Sequence, residues 1–253
     1  MDEAACAFDL TLILPAFNEA ATILSTIQQA LQYLEGELKL RTEIIVAADG
    51  EDGTREKVLD WAKGGARIQV CGHKRRSGKG RGVREAVALA RGNIIGYADA
   101  DNKVPIEEYA KVQRCFAQTG CDIVCGSRAL KDSVIFRHQP LYRRMGSKGF
   151  HIFMHTATGL WHVTDSQCGF KFMRRDVARA LFAAQRIDGY MFDVEILVLA
   201  KRFGYTVREV PICWRDDGDS RLELIRGNLR NVRDILRIRW FASRLPAGRP
   251  DST

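Results

Sequence analysis

Apolar runs of strand length alternate with amphipathic stretches through the first half of the chain. The runs predict five β-strands, at residues 10–17, 42–49, 66–71, 92–98 and 121–128. Between them, apolar side chains recur at helical spacing, as at Ile23, Ile27 and Leu31. Strands that alternate with helices form βαβ units, and uninterrupted apolar strands are typical of sheets covered on both faces. The pattern therefore predicts an α/β fold with a mostly parallel sheet flanked by helices.

The polar residues that follow these strands predict a crevice at one edge of the sheet. Right-handed crossovers bring the loops after the first, second and fourth strands to the same edge, where α/β proteins bind ligands. These loops hold residues 15–19, Asp49 and the pair Asp99 and Asp101. Two carboxylates two positions apart suit a hard divalent cation that carries phosphate oxygens. Alone, such a pair is more typical of a polar turn after a strand.

A basic, glycine-rich segment follows the third strand, at residues 73–82. It lacks the Walker A spacing, because five residues separate Gly72 from Gly78 and Gly80 stands where Ser or Thr would bind magnesium. No dinucleotide fingerprint follows the first strand either. Two interpretations remain, a solvated basic turn or a flexible clamp for a diphosphate.

The βαβ rhythm stops after residue 128. We expect a loop at 129–140, a helix at 141–159, a helix at 192–203 and a strand at 205–214, where Pro211 indicates an edge or an end. We assign residues 1–220 to one domain. Residues 221–243 form a predicted basic amphipathic helix, which either docks on its own domain or contacts a membrane surface. Residues 244–253 are predicted to be a disordered tail.

Composition and charge narrow the class of protein. The chain has 253 residues, 46% of them hydrophobic, and a net charge of +8, which indicates a globular domain with anionic partners. No apolar run reaches the length of a membrane span, and the N-terminus lacks a signal pattern. We expect a cytoplasmic protein, and we expect no nucleic acid as a partner because no nucleic-acid module is present. A basic membrane-surface or nucleic-acid binding protein without catalysis remains the non-enzymatic alternative.

Seven short motifs, in order across residues 10–220, resemble the family 2 glycosyltransferases of GT-A fold. They lie at residues 15–19, 49–54, 78–80, 99–101, 126–128, 165–171 and 192–195. Within this family the chain resembles the polyprenyl-phosphate branch, which includes dolichyl-phosphate glucosyltransferases and dolichol-phosphate mannose synthases. The string at 165–171 is most similar to the dolichyl-phosphate glucosyltransferases. The resemblance implies an inverting transfer of a hexose, expected to be glucose, from a UDP-sugar to a polyprenyl or dolichyl phosphate. The expected place is the inner face of the membrane, with the enzyme attached peripherally.

The resemblance also implies roles for single residues. The nucleotide-sugar donor would be bound by Pro15, Ala16, Phe17, Glu19, Asp49, Lys79, Asp99, Ala100 and Asp101. Asp99 and Asp101 would hold Mg²⁺ or Mn²⁺, and Asp101 and Asp165 would be catalytic. Because a phosphate acceptor is already ionised, Asp165 would orient rather than deprotonate. Arg128, Gln167 and Arg221 would bind the acceptor.

Two departures from the family keep alternatives open. Lys103 stands where some mannose synthases place a metal-binding Gln, and its ammonium group could partly replace a cation. No transmembrane helices follow residue 220, although many relatives have them, so a soluble small-molecule acceptor is the alternative. A nucleotidyltransferase is disfavoured, because such enzymes normally carry a glycine-rich loop directly after the first strand.

Overall fold

The protein is described by a computed structural model over residues 7–63, 65, 67–136, 152–215 and 226–250. The strands are β1 Phe8–Phe17, β2 Thr42–Asp49, β3 Ile68–Cys71, β4 Gly92–Ala98, β5 Ile123–Ser127, β6 Val134–Ile135, β7 Phe170–Arg174, β8 Val207–Pro211 and β9 Cys213–Trp214. The first four helices are α1 Ile23–Leu31, α2 Thr54–Ala62, α3 Lys79–Leu89 and α4 Tyr109–Thr119. They are followed by α5 at residues 152–158, α6 Arg175–Ala184, α7 Phe192–Phe203 and α8 Arg226–Arg244. A π-helical turn, Gln32–Glu37, extends α1, and a 3₁₀ turn, Ile106–Glu108, precedes α4.

Seven strands form one sheet in the order β3-β2-β1-β4-β7-β5-β8. All neighbours are parallel except β7, which runs antiparallel between β4 and β5. The predicted mostly parallel α/β sheet is therefore confirmed. Because β7 is reversed, its amino end lies at the same edge as the carboxyl ends of its neighbours. The segment that leads into β7 thus enters the predicted crevice.

Helices cover both faces of this sheet. Along β1, Ile13 packs into the core beneath α3, α6 and α7, while Leu12 and Leu14 point into the core beneath α1 and α4. Every residue of β2 is buried. Burial on both faces explains why these strands are apolar without alternation.

Two predicted boundaries near the crevice differ in the structure. Helix α3 begins at Lys79, so the second half of the glycine-rich segment is helical rather than loop. Residues 134–135, predicted as loop, form β6 and pair in parallel with β9 in a second, two-stranded sheet. Both segments are too short, or too rich in glycine, to show a hydrophobic period. Pro211 ends β8, which is an edge strand as predicted.

The C-terminal helix docks on its own domain through one face. Ile235, Ile238 and Ala242 are buried in the core that α7 also lines. Beyond the helix, Arg249 donates to Asp122 at 3.1 Å, a defined contact in a segment predicted to be a disordered tail. Of the predicted helix 141–159, residues 141–151 lie outside the described residues, as do 216–225 with Arg221. Among the helices described here, none is long and apolar enough to cross a membrane.

Candidate active site

The ends of β1, β2 and β4 meet at one edge of the sheet, as their parallel order requires. Phe17 and Asp49 are register partners at the ends of β1 and β2. The turn with Asp99 and Asp101 directly follows β4, which pairs with the other side of β1. Residues separated by more than 80 positions, such as Phe17 and Asp101, therefore border one crevice.

Asp49 organises the loop at residues 73–78, which we call the glycine loop. Its carboxylate accepts hydrogen bonds from the backbone N–H of His73 at 3.0 Å, from the N–H of Ser77 at 2.6 Å and from the Ser77 hydroxyl at 2.9 Å. Ionised carboxylates are strong acceptors for several N–H groups, so Asp49 fixes the shape of this loop. Its predicted contact with the donor nucleoside stays a prediction.

The first turn of α3 packs against backbone from the segment before α7. A Cβ atom on Gly78 would lie 2.3 Å from the carbonyl oxygen of Asp188, and one on Gly80 would lie 2.5 Å from that of Ile187. Gly78 also has φ +113°, a backbone conformation that side chains disfavour. Glycine at both positions lets the helix approach closely, and Lys79 between them projects into the crevice.

Lys79 belongs to a chain of alternating charges. Its Nζ lies 2.6 Å from Asp99 Oδ1 and 4.0 Å from Asp193 Oδ2, and Asp193 in turn accepts from Lys171 Nζ at 2.6 Å and from the Tyr97 hydroxyl at 2.7 Å. Burial alone would lower the pKa of Lys79, but the carboxylates of Asp99 and Asp193 outweigh it and raise that pKa. Lys171 is fully buried, and Asp193 likewise outweighs burial to raise its pKa. Both lysines are cationic at neutral pH.

The second carboxylate of the turn has its own lysine. Lys103 Nζ lies 3.1 Å from Asp101 Oδ2, and the Lys103 backbone N–H donates to Asp101 Oδ1 at 3.3 Å. The Lys103 carbonyl accepts from the Arg215 N–H at 2.8 Å, which ties the turn to the end of β9. Sequence reasoning identified Lys103 as a departure, and the structure places its ammonium group on the predicted metal ligand.

The Asp99 and Asp101 side chains fit a divalent cation of the Mg²⁺ or Mn²⁺ type. They are hard oxygen donors, and about 40% of each remains exposed at the crevice, at 45% and 38%. In the part of the chain that is described, no cluster of three or more His, Cys, Asp or Glu side chains could hold a metal. A cation here would need phosphate oxygens and water to complete its shell, which is how Mg²⁺ commonly binds beside a nucleotide.

Across the crevice, Arg128 and Asp165 form a two-pronged ion pair. Arg128 Nε donates to Asp165 Oδ2 at 2.7 Å, Nη2 donates to Oδ1 at 2.9 Å, and the Arg128 backbone N–H donates to Oδ2 at 3.0 Å. Burial tends to raise the pKa of Asp165, but the hydrogen bonds and charge of Arg128 outweigh it and lower that pKa. A carboxylate held this way is a weak base, consistent with the prediction that it orients.

Residues 165–169 join the two sides of the crevice. Asp165 holds Arg128 at one end, and at the other Gly169 touches the Asp99 carboxylate, since a Cβ on Gly169 would lie 2.3 Å from Asp99 Oδ2. Gln167, predicted to bind the acceptor, directs its Nε2 toward Met191 Sδ at 3.8 Å. Residues 165–169 therefore set the distance between the Lys79–Asp99 pair and the Arg128–Asp165 pair.

The residues predicted to hold the nucleoside lie at the end of β1. Ala16 is buried, and the Glu19 backbone N–H donates to Thr54 Oγ1 at 3.1 Å, which fixes the turn after Pro15 and Phe17. The guanidinium of Arg76, in the glycine loop, stacks 4.5 Å from the Phe17 ring centroid. Arg76 also donates to the Tyr190 hydroxyl at 2.8 Å and so links three segments at the rim.

The roles of Tyr190, Lys171 and Asp193 were not predicted from the sequence, and Arg76 was predicted only as one cation of the basic, glycine-rich segment. The available signal was a charge inside an apolar segment, because Lys171 lies in β7 and Asp193 in a helix whose other residues are largely apolar. Such buried charges are rarely tolerated without partners. Their pairing across 22 positions could not be read from the sequence alone.

Comparison with known proteins gives consistent matches. Residues 11–182 match the family described as Glycosyl transferase family 2. The chain is 31% identical over 242 residues to a dolichyl-phosphate beta-glucosyltransferase from Dictyostelium discoideum, covering 91% of this chain and 74% of the relative. A dolichyl-phosphate beta-glucosyltransferase from Drosophila melanogaster gives 31% identity with the same coverage of 91% and 74%.

Solved structures share the fold at lower identity. A glucosyl-3-phosphoglycerate synthase from Mycobacterium tuberculosis, crystallised with Mn²⁺, uridine diphosphate and phosphoglyceric acid, superposes with a TM-score of 0.67 at 18% identity. The match covers 97% of this chain and 80% of that one. The neighbours are GT-A glycosyltransferases, which confirms the predicted GT-A fold. Divalent metal is found in neighbours of this fold.

Proposed function

Because the chain belongs to glycosyl transferase family 2 and is a glycosyltransferase, we propose that it transfers glucose from UDP-glucose to a polyprenyl or dolichyl phosphate. Its relatives at about 31% identity carry the name dolichyl-phosphate beta-glucosyltransferase. The observation that carries the proposal is the placement of two charged pairs at opposite ends of residues 165–169. Lys79 with Asp99 lies at the Gly169 end, and Arg128 pairs with Asp165 at the other end.

The lysine side of the crevice suits the donor. The end of β1 and the glycine loop would hold the nucleoside, and the Lys79 ammonium would meet the diphosphate that leaves. Asp99 and Asp101 would hold Mg²⁺ or Mn²⁺, which supplies charge stabilisation to the leaving diphosphate when it is bound. The protein groups bring positive charge to the oxygens where negative charge develops.

The arginine side suits a phosphate acceptor. A guanidinium has five N–H donors, and two in Arg128 are used by Asp165. The other three can meet phosphate oxygens, and Asp165 holds the guanidinium plane in place. Gln167 and Arg221 remain proposed acceptor ligands, and Arg221 lies outside the described residues. No base is needed, because the acceptor oxygen is already ionised at neutral pH.

The reaction is then a single displacement at the anomeric carbon. An acceptor phosphate oxygen forms a bond to the carbon as the bond to the UDP oxygen breaks, and UDP carries away the electron pair. Attack opposite the leaving group inverts the anomeric configuration. Asp101 would contribute by holding the metal. Asp165 contributes by holding the Arg128 guanidinium in place.

We further propose that the enzyme works at the surface of a membrane on its cytoplasmic side. Leu229, Leu236 and Trp240 are exposed on α8, on the face opposite the one that docks. Arg233 and Arg237 are exposed beside them, so the face combines apolar and cationic groups. This combination suits an anionic membrane surface, where a lipid phosphate would be presented.

The test is UDP release from UDP-glucose with and without a polyprenyl phosphate. We expect release only when both substrates are present, and faster release with UDP-glucose than with GDP- or dTDP-glucose. The Asp101→Asn variant should lose nearly all release, while Lys57→Met, which alters an exposed lysine on α2, should retain it. Release that needs no lipid phosphate, or full activity of D101N, would contradict the proposal.

A further inference from the structure

Each carboxylate of the turn after β4 is paired with a lysine of the same chain. Lys79 Nζ lies 2.6 Å from Asp99 Oδ1, and Lys103 Nζ lies 3.1 Å from Asp101 Oδ2. The two lysine side chains are only 16% and 19% exposed, so they approach the carboxylates from the protein side. Asp99 and Asp101, which would be the two protein ligands of a divalent cation, therefore each already have an ammonium group as a partner.

The charges of this cluster balance without any ligand. Three lysines (Lys79, Lys103 and Lys171) face three aspartates (Asp99, Asp101 and Asp193), and each lysine lies within ion-pair distance of an aspartate. A divalent cation alone would add two positive charges beside ammonium groups that are largely withdrawn from water, where repulsion is strong. A diphosphate would bring the missing negative charge and offer the ammonium groups new oxygen partners.

We propose that Lys79 and Lys103 gate the metal site, so that a divalent cation binds tightly only together with the donor diphosphate. The lysines leave Asp99 and Asp101 when phosphate oxygens replace those carboxylates as partners, and the carboxylates then serve the cation. This inference rests on the proposed function, and it adds that tight binding of the cation requires the donor diphosphate. Such coupling is reciprocal, so the cation must strengthen nucleotide binding by the same factor.

Lys103 is the position at which this gate can be tested without rebuilding the turn. Its backbone N–H donates to Asp101 and its carbonyl accepts from Arg215, so both contacts survive a change of side chain. Methionine has a similar length and offers no hard oxygen ligand, so K103M removes the ammonium group without supplying a new metal ligand. A matched control is K111M, because Lys111 pairs with Glu108 at 2.7 Å outside this cluster.

The experiment measures Mn²⁺ binding to the full chain by the loss of the free-ion electron paramagnetic resonance signal, with and without saturating UDP. For the wild type and K111M we expect weak Mn²⁺ binding alone and binding about tenfold tighter, or more, with UDP. For K103M we expect Mn²⁺ alone to bind several-fold more tightly than to the wild type, and the gain from UDP to shrink.

Unchanged Mn²⁺ affinity of K103M without UDP would overturn the gate, even if UDP still strengthens Mn²⁺ binding through its own phosphate oxygens. If K103M does not fold, K103A is measured instead, and an unchanged Mn²⁺ affinity without UDP again overturns the gate. Calorimetric titration of UDP separates this inference from the proposed function. Failure of UDP to bind any form of the protein contradicts the donor site itself, whereas normal UDP binding with an unchanged Mn²⁺ affinity contradicts only the gate.

Discussion

Charged side chains in the crevice depend on partners that lie far away in sequence. Asp165 is only 4% exposed and keeps its charge because Arg128 donates to both of its oxygens. By contrast, the Arg249 side chain that pairs with Asp122 is 58% exposed. Buried pairs are costly to break, because the remaining charge is left without compensation, whereas exposed pairs contribute little.

We predict that Arg128→Met lowers the free energy of unfolding by about 3 kcal/mol at pH 7. In the wild type the lowered pKa of Asp165 stabilises the fold above the ordinary value of 3.8, and this stabilisation is lost as pH falls through the lower folded pKa. In R128M the buried Asp165 loses the guanidinium charge and keeps the hydrogen bond from the backbone N–H of residue 128, so it can protonate more easily. The penalty should therefore shrink as pH approaches 4.

Denaturant unfolding at pH 7 and pH 4 measures this difference. R249M removes an exposed arginine from Asp122, whose carboxylate still accepts from the Thr206 N–H and hydroxyl at 2.8 Å. It is the matched control and should cost less than about 1 kcal/mol at either pH. An equal penalty for the two variants, or a penalty of R128M that grows at low pH, would show that Asp165 does not depend on Arg128.

Gly169 provides a second test at the scale of a single residue. A methyl group there would meet the Asp99 carboxylate at 2.3 Å, and this short side chain can turn away more easily than backbone can. We predict that Gly169→Ala weakens UDP binding about tenfold or more, with little loss of stability, because it displaces a donor-site carboxylate. G189A, where a Cβ meets nothing within 4 Å, should leave UDP binding unchanged by calorimetry.

At the scale of elements, the start of α3 depends on close packing against the segment before α7. Glu195 accepts hydrogen bonds from the Arg186 N–H at 2.9 Å and the Ile187 N–H at 2.8 Å, which holds that segment against the helix. Gly80 is the contact point. The position of Lys79 is therefore set by two elements that the sequence separates by about 100 residues.

We predict that Gly80→Ala lowers the free energy of unfolding by about 1–3 kcal/mol. The added methyl group would lie 2.5 Å from the carbonyl oxygen of Ile187 and 2.6 Å from the Cβ of Phe192, which is too close for either contact. The change should also weaken UDP binding, since Lys79 moves with the helix. Gly36 lies in the π-helical turn, and a Cβ atom there would meet nothing within 4 Å. G36A should therefore leave the stability unchanged or raise it slightly. Denaturant titration that places G80A level with G36A would contradict this packing.

The sequence predicted the sheet well, and it predicted the site in part. Asp99 and Asp101 could be placed at the crevice because an uninterrupted apolar strand and the right-handed crossover rule locate the end of β4. Strand β7 could not be placed, because nothing local in residues 170–174 indicates insertion between β4 and β5 in the opposite direction. The partnership of Asp193 with Lys79 depends on that insertion and on α7, so it too was inaccessible.

At the scale of the whole molecule, α8 gives one side of the protein an exposed amphipathic face. Leu236 is 51% exposed and Trp240 is 58% exposed, and Arg244 stacks 3.6 Å from the Trp240 ring centroid. The helix packs on the core beneath α7, whereas α2 packs on the opposite face of the sheet. The α8 side therefore combines exposed apolar and cationic groups on a helix that could lie on a lipid surface.

We predict that the protein sediments with vesicles that contain anionic lipid, and that binding weakens as salt is raised, because exposed arginines contribute through screened attraction. The double variant L236S/W240S should bind about tenfold less, without loss of stability. L59S, which alters a 56% exposed leucine on α2, is the control. Equal vesicle binding of the two variants would place the membrane contact elsewhere.

The most direct test of the proposed function is to supply UDP-glucose labelled in the sugar, together with a polyprenyl phosphate in vesicles, and to identify the product. We predict that label passes to the lipid as a single glucosyl phosphate of β configuration, in equimolar amount with UDP. Arg128→Met and Asp101→Asn should prevent its formation. Label that remains in water, as free glucose or on a soluble acceptor, while no lipid product forms with any polyprenyl phosphate, would contradict the proposal.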